Sequence, residues 1–341
     1  MNETGINPLT SDDYKPLHTL LPLKTPLSVT FCSTQNCNFF CEFCYRYGID
    51  KTQLSKERMS LSFLEKCAAD IAEFDDKINV VDVCGSGEPL LLPYLSEWIS
   101  LLKQTNNIKQ IKMITNGTLL TPTKAEQVIS AGLDLIVFSI NGLSDEGNRK
   151  VVHANVDFNK LVDNIKYAFS IRGKCKIHIK CIGDYFSKED QKKFLEIFSP
   201  YADSIHIDSA INQWIDVDLP PTPFEHETSE NRNRFGKDFQ FKNKPMCNFP
   251  FYYLRVHTSG KVSSCATNWK DDMIIGDANS SSLKEIWNGK ELNDLRIKIL
   301  KQKNPSQCES CHYYEMMTGE DLTQYKESLL GKYLDLNGGN T

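Results

Sequence analysis

The sequence predicts an α/β protein in which a partial (β/α)6 barrel precedes a small C-terminal module made of a hairpin and a helix. Three observations predict it. From Leu27 to about residue 211, apolar runs of strand length alternate with amphipathic segments of helix length, as a parallel sheet with crossover helices requires. Six such strands point to an incomplete barrel, not a closed eight-stranded one. After Cys247 the alternation stops, and two short apolar segments flank a turn ahead of one further helical stretch.

Taken in order, residues 1–26 read as an irregular leader, and LSVTFC (27–32) as the first strand. A helix is expected over 62–74, because Phe63, Cys67 and Ile71 share one face and Ser62 with Glu65 spells a capping box. INVVDVC (78–84) reads as a buried strand, with a helix around 94–103 behind it. IKMIT (111–115) is the third strand. Thr121 caps the helix that follows, Pro122 lies in its first turn and Gly132 stops it. LDLIVFSI (133–140), a helix near 158–171 and KIHIKCI (176–182) continue the pattern. Ser187 with Asp190 opens another helix, and SIHID (204–208) is the sixth strand. Residues 212–246, rich in Pro, Asn, Glu and Lys, read as a bridge with at most a short helix. Beyond them, FYYLRVH and VSSCA form a hairpin around Thr258–Lys261, with Cys265 in its second strand. A helix over about 282–300 and a helical tail to about Leu334 complete the chain. The expected units are therefore 1–26, 27–211, 212–246, 247–315 and 316–341.

Composition narrows the function. With 341 residues the chain exceeds one small domain. No run of about 18 apolar residues suggests a membrane span, and the first residues lack the basic start and apolar core of a signal peptide. A cytoplasmic location is the default expectation. The net charge of -5 offers no basic field for nucleic acid. Twelve cysteines in a reducing compartment suggest metal or redox chemistry more than disulfides. Their placement says more than their number: Cys37, Cys41 and Cys44 fall close together, and Cys247, Cys265, Cys308 and Cys311 gather in the last third.

CNFFCEFCY has C-x3-C-x2-C spacing just after the first strand, at the end of the barrel where βα loops carry chemistry. Three thiolates hold three irons of a [4Fe–4S] cube and leave the fourth iron open, whereas four thiolates give the ordinary electron-transfer arrangement. Zinc, or plain buried thiols, is the bland alternative. Zinc prefers four ligands, and no His in this loop completes such a set.

With Tyr45 after the last cysteine, this string resembles the signature of the radical S-adenosylmethionine (SAM) superfamily. The resemblance implies that the open iron chelates the amino and carboxylate groups of SAM. Reduction then cleaves the sulfonium C–S bond, and the 5′-deoxyadenosyl radical abstracts a hydrogen from an unactivated C–H. Later segments agree in order and place. Gly85-Ser86-Gly87-Glu88-Pro89, after the second strand, resembles the family's Gly-rich segment, whose backbone meets the SAM amino group. Thr115-Asn116-Gly117 ends the third strand. Ser139-Ile140-Asn141-Gly142 ends the fourth and resembles the family's Ser-x-Asp/Asn-Gly. Ser139 and Asn141 are two apart and face one way, as candidates for the SAM carboxylate and ribose. The implied cofactor-binding residues are thus Tyr45, Gly85, Ser86, Gly87, Glu88, Thr115, Asn116, Ser139 and Asn141. The Arg that relatives often carry near the next helix has no clean match, although Arg149 and His153 lie nearby.

In the C-terminal module, Cys247-x17-Cys265 is followed by Cys308-x2-Cys311. By ligand count alone, zinc and [4Fe–4S] are equal candidates. The surrounding strings, CNFPFYYLRVHTSGKVSSC, IIGDANSSSLKEIWNGKELNDLR and CESC, resemble the SPASM/twitch extensions of radical SAM enzymes, which hold auxiliary [4Fe–4S] clusters. The two-cluster version needs further cysteines that this region lacks. The resemblance therefore implies one auxiliary [4Fe–4S] cluster, fully ligated by Cys247, Cys265, Cys308 and Cys311 and suited to passing electrons. It also implies an electron donor such as flavodoxin or ferredoxin.

Cys32, Cys67, Cys84 and Cys175 read as buried small apolar residues. Cys181, at a strand end, is a candidate for returning a hydrogen atom to a carbon radical. His206 and Asp208 share one face of the sixth strand, and His178 and Lys180 one face of the fifth. Lys180, Cys181, His206 and Asp208 are the catalytic candidates, against exposed or salt-bridged roles. Trp214, Trp269 and Trp287 read as packing residues. The expected function is oxidation or epimerisation of a small polyol or sugar-type metabolite, the auxiliary cluster serving as electron conduit. With residues 1–26 ahead of the first strand, a leader-peptide domain is not expected. One alternative is a maturase that crosslinks or epimerises a ribosomally made peptide. Another is a non-catalytic zinc protein, which would not explain glycines and polar residues at successive strand ends.

Overall fold

Strand parity governs how the chain folds. In a computed structural model, which describes residues 15–210, 214, 216–224, 246–267, 269–270, 273–309, 311 and 320–338, six parallel strands follow one another. They are β1 (Ser28–Phe31), β2 (Ile78–Asp82), β3 (Ile108–Thr115), β4 (Leu135–Ser139), β5 (Lys176–Ile182) and β6 (Ser204–Asp208). Val29, Phe31, Val81, Ile111, Met113, Ile136, Phe138, Ile177 and Ile179 enter the main core. The residues between them, Thr30, Lys112, Val137 and His178 among them, turn to the opposite, interior face.

The crossover helices bring apolar stripes to that core. Short helices α1 (Leu17–Leu20) and α2 (Tyr45–Gly48) precede α3 (Leu61–Ala72), α4 (Leu95–Gln104), α5 (Pro122–Ser130), α6 (Asp145–Val152), α7 (Phe158–Ile171) and α8 (Lys188–Phe198). Trp98 of α4 is fully buried and meets Phe31 of β1 edge-on, with ring centroids 5.0 Å apart. Thr121 and Ser187 cap α5 and α8 as expected, each accepting the N–H three residues on. For α3 the expected cap is corrected. The helix starts at Leu61, and Ser60, not Ser62, accepts the Phe63 N–H at 3.1 Å.

Past the bridge come α9 (Phe249–Tyr252), β7 (Tyr253–Val256), β8 (Lys261–Ser263), β9 (Ile274–Asp277), α10 (Leu283–Asn288), α11 (Lys290–Leu300) and α12 (Lys326–Gly338). The hairpin does not stand apart. β7 lies parallel to β1, from Ser28 opposite Tyr253 to Phe31 opposite Val256, and one sheet runs β6-β5-β4-β3-β2-β1-β7-β8-β9. Three details differ from expectation. β9 is an additional strand. Cys265 lies two residues beyond β8, not within it. The 282–300 helix is broken where Gly289 takes extended backbone, φ -72 and ψ 161. Ser282 and Glu285 form a reciprocal capping box at the start of α10.

A second core joins Leu17 and Leu21 to Phe251, Ile299, Leu300, Leu322, Leu329 and Tyr333. Part of the expected leader is thus packed, and the described tail is helical. Most of the 212–246 bridge, with the short helix allowed for it, lies outside the described residues.

Trp98→Ala is expected to cost about 3–5 kcal/mol by emptying the α4–β1 contact. Ser60→Ala is expected to cost about 1 kcal/mol and Ser62→Ala less than about 0.5 kcal/mol. Chemical denaturation of the three variants checks both the core and the cap; equal losses at 60 and 62 would refute the cap.

Candidate active site at the carboxyl ends of the barrel strands

The loop after β1 is tied down on every side before any ligand enters. Gln35 N donates to Glu57 O at 2.8 Å. Phe40 N and Glu42 N donate to Val152 O (2.9 Å) and Val151 O (3.1 Å), at the end of α6. Cys37 and Cys41 stand between these anchors, and Cys44 follows two residues after the last of them. Burial raises the Cys37 thiol to about 11 and lifts Cys41 and Cys44 as well. Cys41 is raised further by Cys44 and Cys37, so the three sulfurs share one neighbourhood. Among the described residues, no three His, Cys, Asp or Glu side chains gather as around one metal ion. The thiols lie near enough to perturb one another without that spacing. Buried thiols of this kind become thiolates when a cation binds them, and three such donors fit a cube with one free corner.

The Gly-rich segment after β2 closes against this loop. A Cβ on Gly85 would lie 2.3 Å from Thr30 Cγ2, and one on Gly87, at φ +71, would lie 2.5 Å from both the Thr34 and Asn36 carbonyls. Neither glycine position has room for a side chain, so the backbone packs closely there. Glu88 holds this arrangement. Its N–H donates to Asn36 O at 2.8 Å, and its buried carboxylate accepts from Leu90 N (3.1 Å), Thr115 Oγ1 (2.6 Å) and Asn116 N (2.9 Å). Asn116 Nδ2 in turn donates to Asn38 Oδ1, between Cys37 and Cys41, at 2.9 Å. Glu88 and Thr115, expected to touch the cofactor, thus bond to each other and to nearby backbone and set the shape of the loops. Burial raises Glu88 to about 6 despite these donors. Asn141 is 5% exposed, and its Oδ1 is buried with no hydrogen-bond partner. Such an orphaned acceptor fits a ligand hydroxyl or amine. Ser139 lies beside it, 3.4 Å from Asn141 Nδ2. Arg149 hydrogen-bonds Asn155 in an exposed position, and His153 pairs with Glu42 of the cysteine loop at 3.2 Å.

The interior carries charge. Lys180 Nζ lies 2.8 Å from Asp208 Oδ2, and His206 Nε2 lies 3.7 Å from Asp208 Oδ1. His178 Nδ1 and Ser204 Oγ are 2.8 Å apart. Deeper in, Lys112 and Asp82 form a second pair at 2.8 Å. Sequence reasoning missed this pair; its signal was a charge at an inward position of each of two neighbouring apolar strands. The expectation for Cys181 is corrected. It alternates with Ile177 and Ile179 into the helix-side core, is 1% exposed, and so faces away from the interior.

The C-terminal thiols also converge. Cys247 is raised by burial and then by Cys265, Cys308 and Cys311. Trp269 from this module and Trp214 from the bridge cover the cysteine loop. Tyr45 stacks on Trp269, with centroids 5.5 Å apart, and tilts against Trp214 at 5.0 Å; Trp214 Nε1 donates to Phe43 O at 3.1 Å. A cavity of about 350 Å³ opens there between Tyr45, Arg46, Gln53 and Trp269. Trp287 is a packing residue, as expected, while Trp214 and Trp269 roof the loop.

The profile of the Radical SAM superfamily matches residues 31–196, and that of SPASM, an iron–sulfur cluster-binding domain, matches residues 247–312. The chain belongs to the radical SAM superfamily. It is 25% identical over 316 residues to a GTP 3′,8-cyclase of Aquifex aeolicus, covering 82% of this chain and 96% of that protein. A Staphylococcus haemolyticus GTP 3′,8-cyclase is 30% identical over 149 residues, 43% of each chain. Among solved structures, Streptococcus suis SuiB bound to precursor peptide SuiA superposes with a TM-score of 0.64 at 12% identity, over 91% of this chain and 74% of that one. BtrN in complex with AdoMet and 2-DOIA gives 0.55 at 14% identity, over 86% and 96%. At such identities these two show the fold. A radical SAM enzyme with a SPASM domain carries a SAM-binding [4Fe–4S] cluster, SAM itself and an auxiliary iron–sulfur cluster. Among the described residues no helix is long and apolar enough to cross a membrane.

Two outcomes follow. Cys41→Ser is expected to halve the iron of anaerobically reconstituted protein, from about eight per chain to about four, and to abolish 5′-deoxyadenosine formation; unchanged iron would remove Cys41 from the ligand set. The fold prefers Glu88 protonated, because burial raises it from 4.5 to about 6. Its stabilising contribution is therefore present below about pH 4.5 and is lost as pH rises to about 6, amounting to about 2 kcal/mol. Denaturation across that window should show the fall in wild type and not in Glu88→Gln.

Proposed function

We propose that this radical SAM enzyme oxidises a carbinol carbon of a small polyol or sugar-type substrate. Cys37, Cys41 and Cys44 hold the SAM cluster. The Gly85–Gly87 backbone, Asn116, Ser139 and Asn141 receive SAM, with Tyr45 beside them. Cys247, Cys265, Cys308 and Cys311 hold one saturated auxiliary cluster. The observation that carries the reading is the Lys180–Asp208 pair with His206 alongside, at the carboxyl-end rim of β5 and β6.

When bound, the reduced cluster and SAM supply a 5′-deoxyadenosyl radical, and the auxiliary cluster supplies a one-electron acceptor. The protein's residues do the rest. Lys180 donates to the substrate oxygen and orients the hydroxyl. Asp208 receives the hydroxyl proton as the carbon, having lost its hydrogen atom to the nucleoside radical, gives up one electron. One hydrogen atom, one proton and one electron leave H–C–O–H, and a ketone remains. The turn of Cys181 towards the helices favours oxidation over inversion, since that thiol is not placed to return a hydrogen. The tryptophan roof over the cysteine loop excludes water from a reactive radical. Flavodoxin or ferredoxin is the class of electron donor that suits the SAM cluster.

A second reading is a nucleotide cyclase, favoured by the match across 96% of the Aquifex aeolicus protein. Anaerobic incubation with SAM, dithionite and either carbinol-deuterated polyols or deuterated GTP separates the two. Deuterium in 5′-deoxyadenosine from a polyol, with ketone formed in equal amount, is the expected result. Asp208→Asn should slow ketone formation by about 10²-fold while iron content stays unchanged. Transfer from GTP, or from a precursor peptide, would overturn the polyol reading.

A further inference from the structure

Arg255 lies on β7 beside Thr30 of β1, 5% exposed. Its Nη1 donates to Ala266 O at 2.8 Å, the residue after the thiol of Cys265. Its Nη2 donates to Gly85 O at 3.4 Å, the first residue of the Gly-rich loop. Its Nε is buried with no hydrogen-bond partner. One guanidinium therefore spans the loops that serve the two thiol groups, and among the described residues no carboxylate pairs with it.

A buried cation normally requires an anion, because its desolvation cost is several kcal/mol. Two carbonyl dipoles are a weak substitute. An iron–sulfur cube on four thiolates is a net anion and gains negative charge on reduction. A fixed cation close by stabilises the reduced form more than the oxidised form, and does so strongly where water is excluded.

We propose that Arg255 is the counter-charge of the auxiliary cluster, a positioning residue that clamps the Ala266 and Gly85 carbonyls and raises that cluster's reduction potential, so that it accepts an electron from the substrate. The inference rests on the reading of Cys247, Cys265, Cys308 and Cys311 as an auxiliary cluster. Arginine suits both tasks, since its planar fork reaches two carbonyls at once and it stays charged.

The test is an EPR-monitored redox titration of reconstituted wild type, Arg255→Met and Arg255→Lys. In Arg255→Met the auxiliary midpoint should fall by about tenfold in the one-electron equilibrium, about 59 mV, with iron content unchanged. Arg255→Lys, which keeps the charge and loses the fork, should stay near the wild-type midpoint. If the methionine variant does not load its clusters, Arg255→Gln carries the same expectation while still donating to one carbonyl. A fully loaded neutral variant with the wild-type midpoint overturns the proposal. Absence of a second cluster signal in wild type overturns the auxiliary-cluster reading itself, and the proposal with it.

Discussion

Three cysteines can leave one iron open only if the loop that carries them resists rearrangement, and here the buried carboxylate of Glu88 provides that resistance. It binds the ends of β2 and β3 together through Leu90, Thr115 and Asn116. Its own N–H and the Asn116 amide then reach into the cysteine loop at Asn36 and Asn38. A carboxylate inside a protein is costly without donors. Three donors make it tolerable, and they come from the segments that follow β2 and end β3. The order of the site is thus enforced by the requirement to satisfy one buried acid.

Strand parity organises the rest. Each barrel strand sends one set of residues to the helices and the other to the interior. The interior set includes Asp82, Lys112, His178, Lys180 and Asp208. Ion pairs at 2.8 Å compensate these largely buried charges. A polar substrate can displace part of such a network, whereas an apolar one would strand it. The joining of β7 to β1 adds Arg255 to the same face and carries the C-terminal thiols to the mouth of the barrel.

Local features were legible in the sequence. Strands β5 and β6 and helix α7 fall at the expected residues because apolar periodicity and flanking turn residues agree there. The cysteine loop was found by its spacing, and the Gly-rich turn and the polar strand ends by their resemblance to the family's segments in order and place. Features set by distant partners were not legible. Nothing local says that residues 253–256 pair with 28–31, across more than two hundred residues. The sequence pointed to Ser62 as the cap of α3, and only the geometry selects Ser60, two residues earlier. Cys181 was singled out for its position near a strand end, but parity with Ile177 and Ile179 turns it away from the interior. Glu88 read as a cofactor contact through its motif; the bonds its carboxylate accepts from Leu90, Thr115 and Asn116 depend on the fold and could not be read locally.

The central claim is that the iron not held by Cys37, Cys41 or Cys44 binds the amino and carboxylate groups of SAM. Electron–nuclear double resonance on the reduced, cluster-loaded protein, with SAM labelled with 15N at the amino group and 13C at the carboxylate, tests it most directly. Resolved hyperfine coupling to both labels, absent in Cys41→Ser, is the predicted result. A fully loaded cluster that shows no coupling to either label would contradict the account.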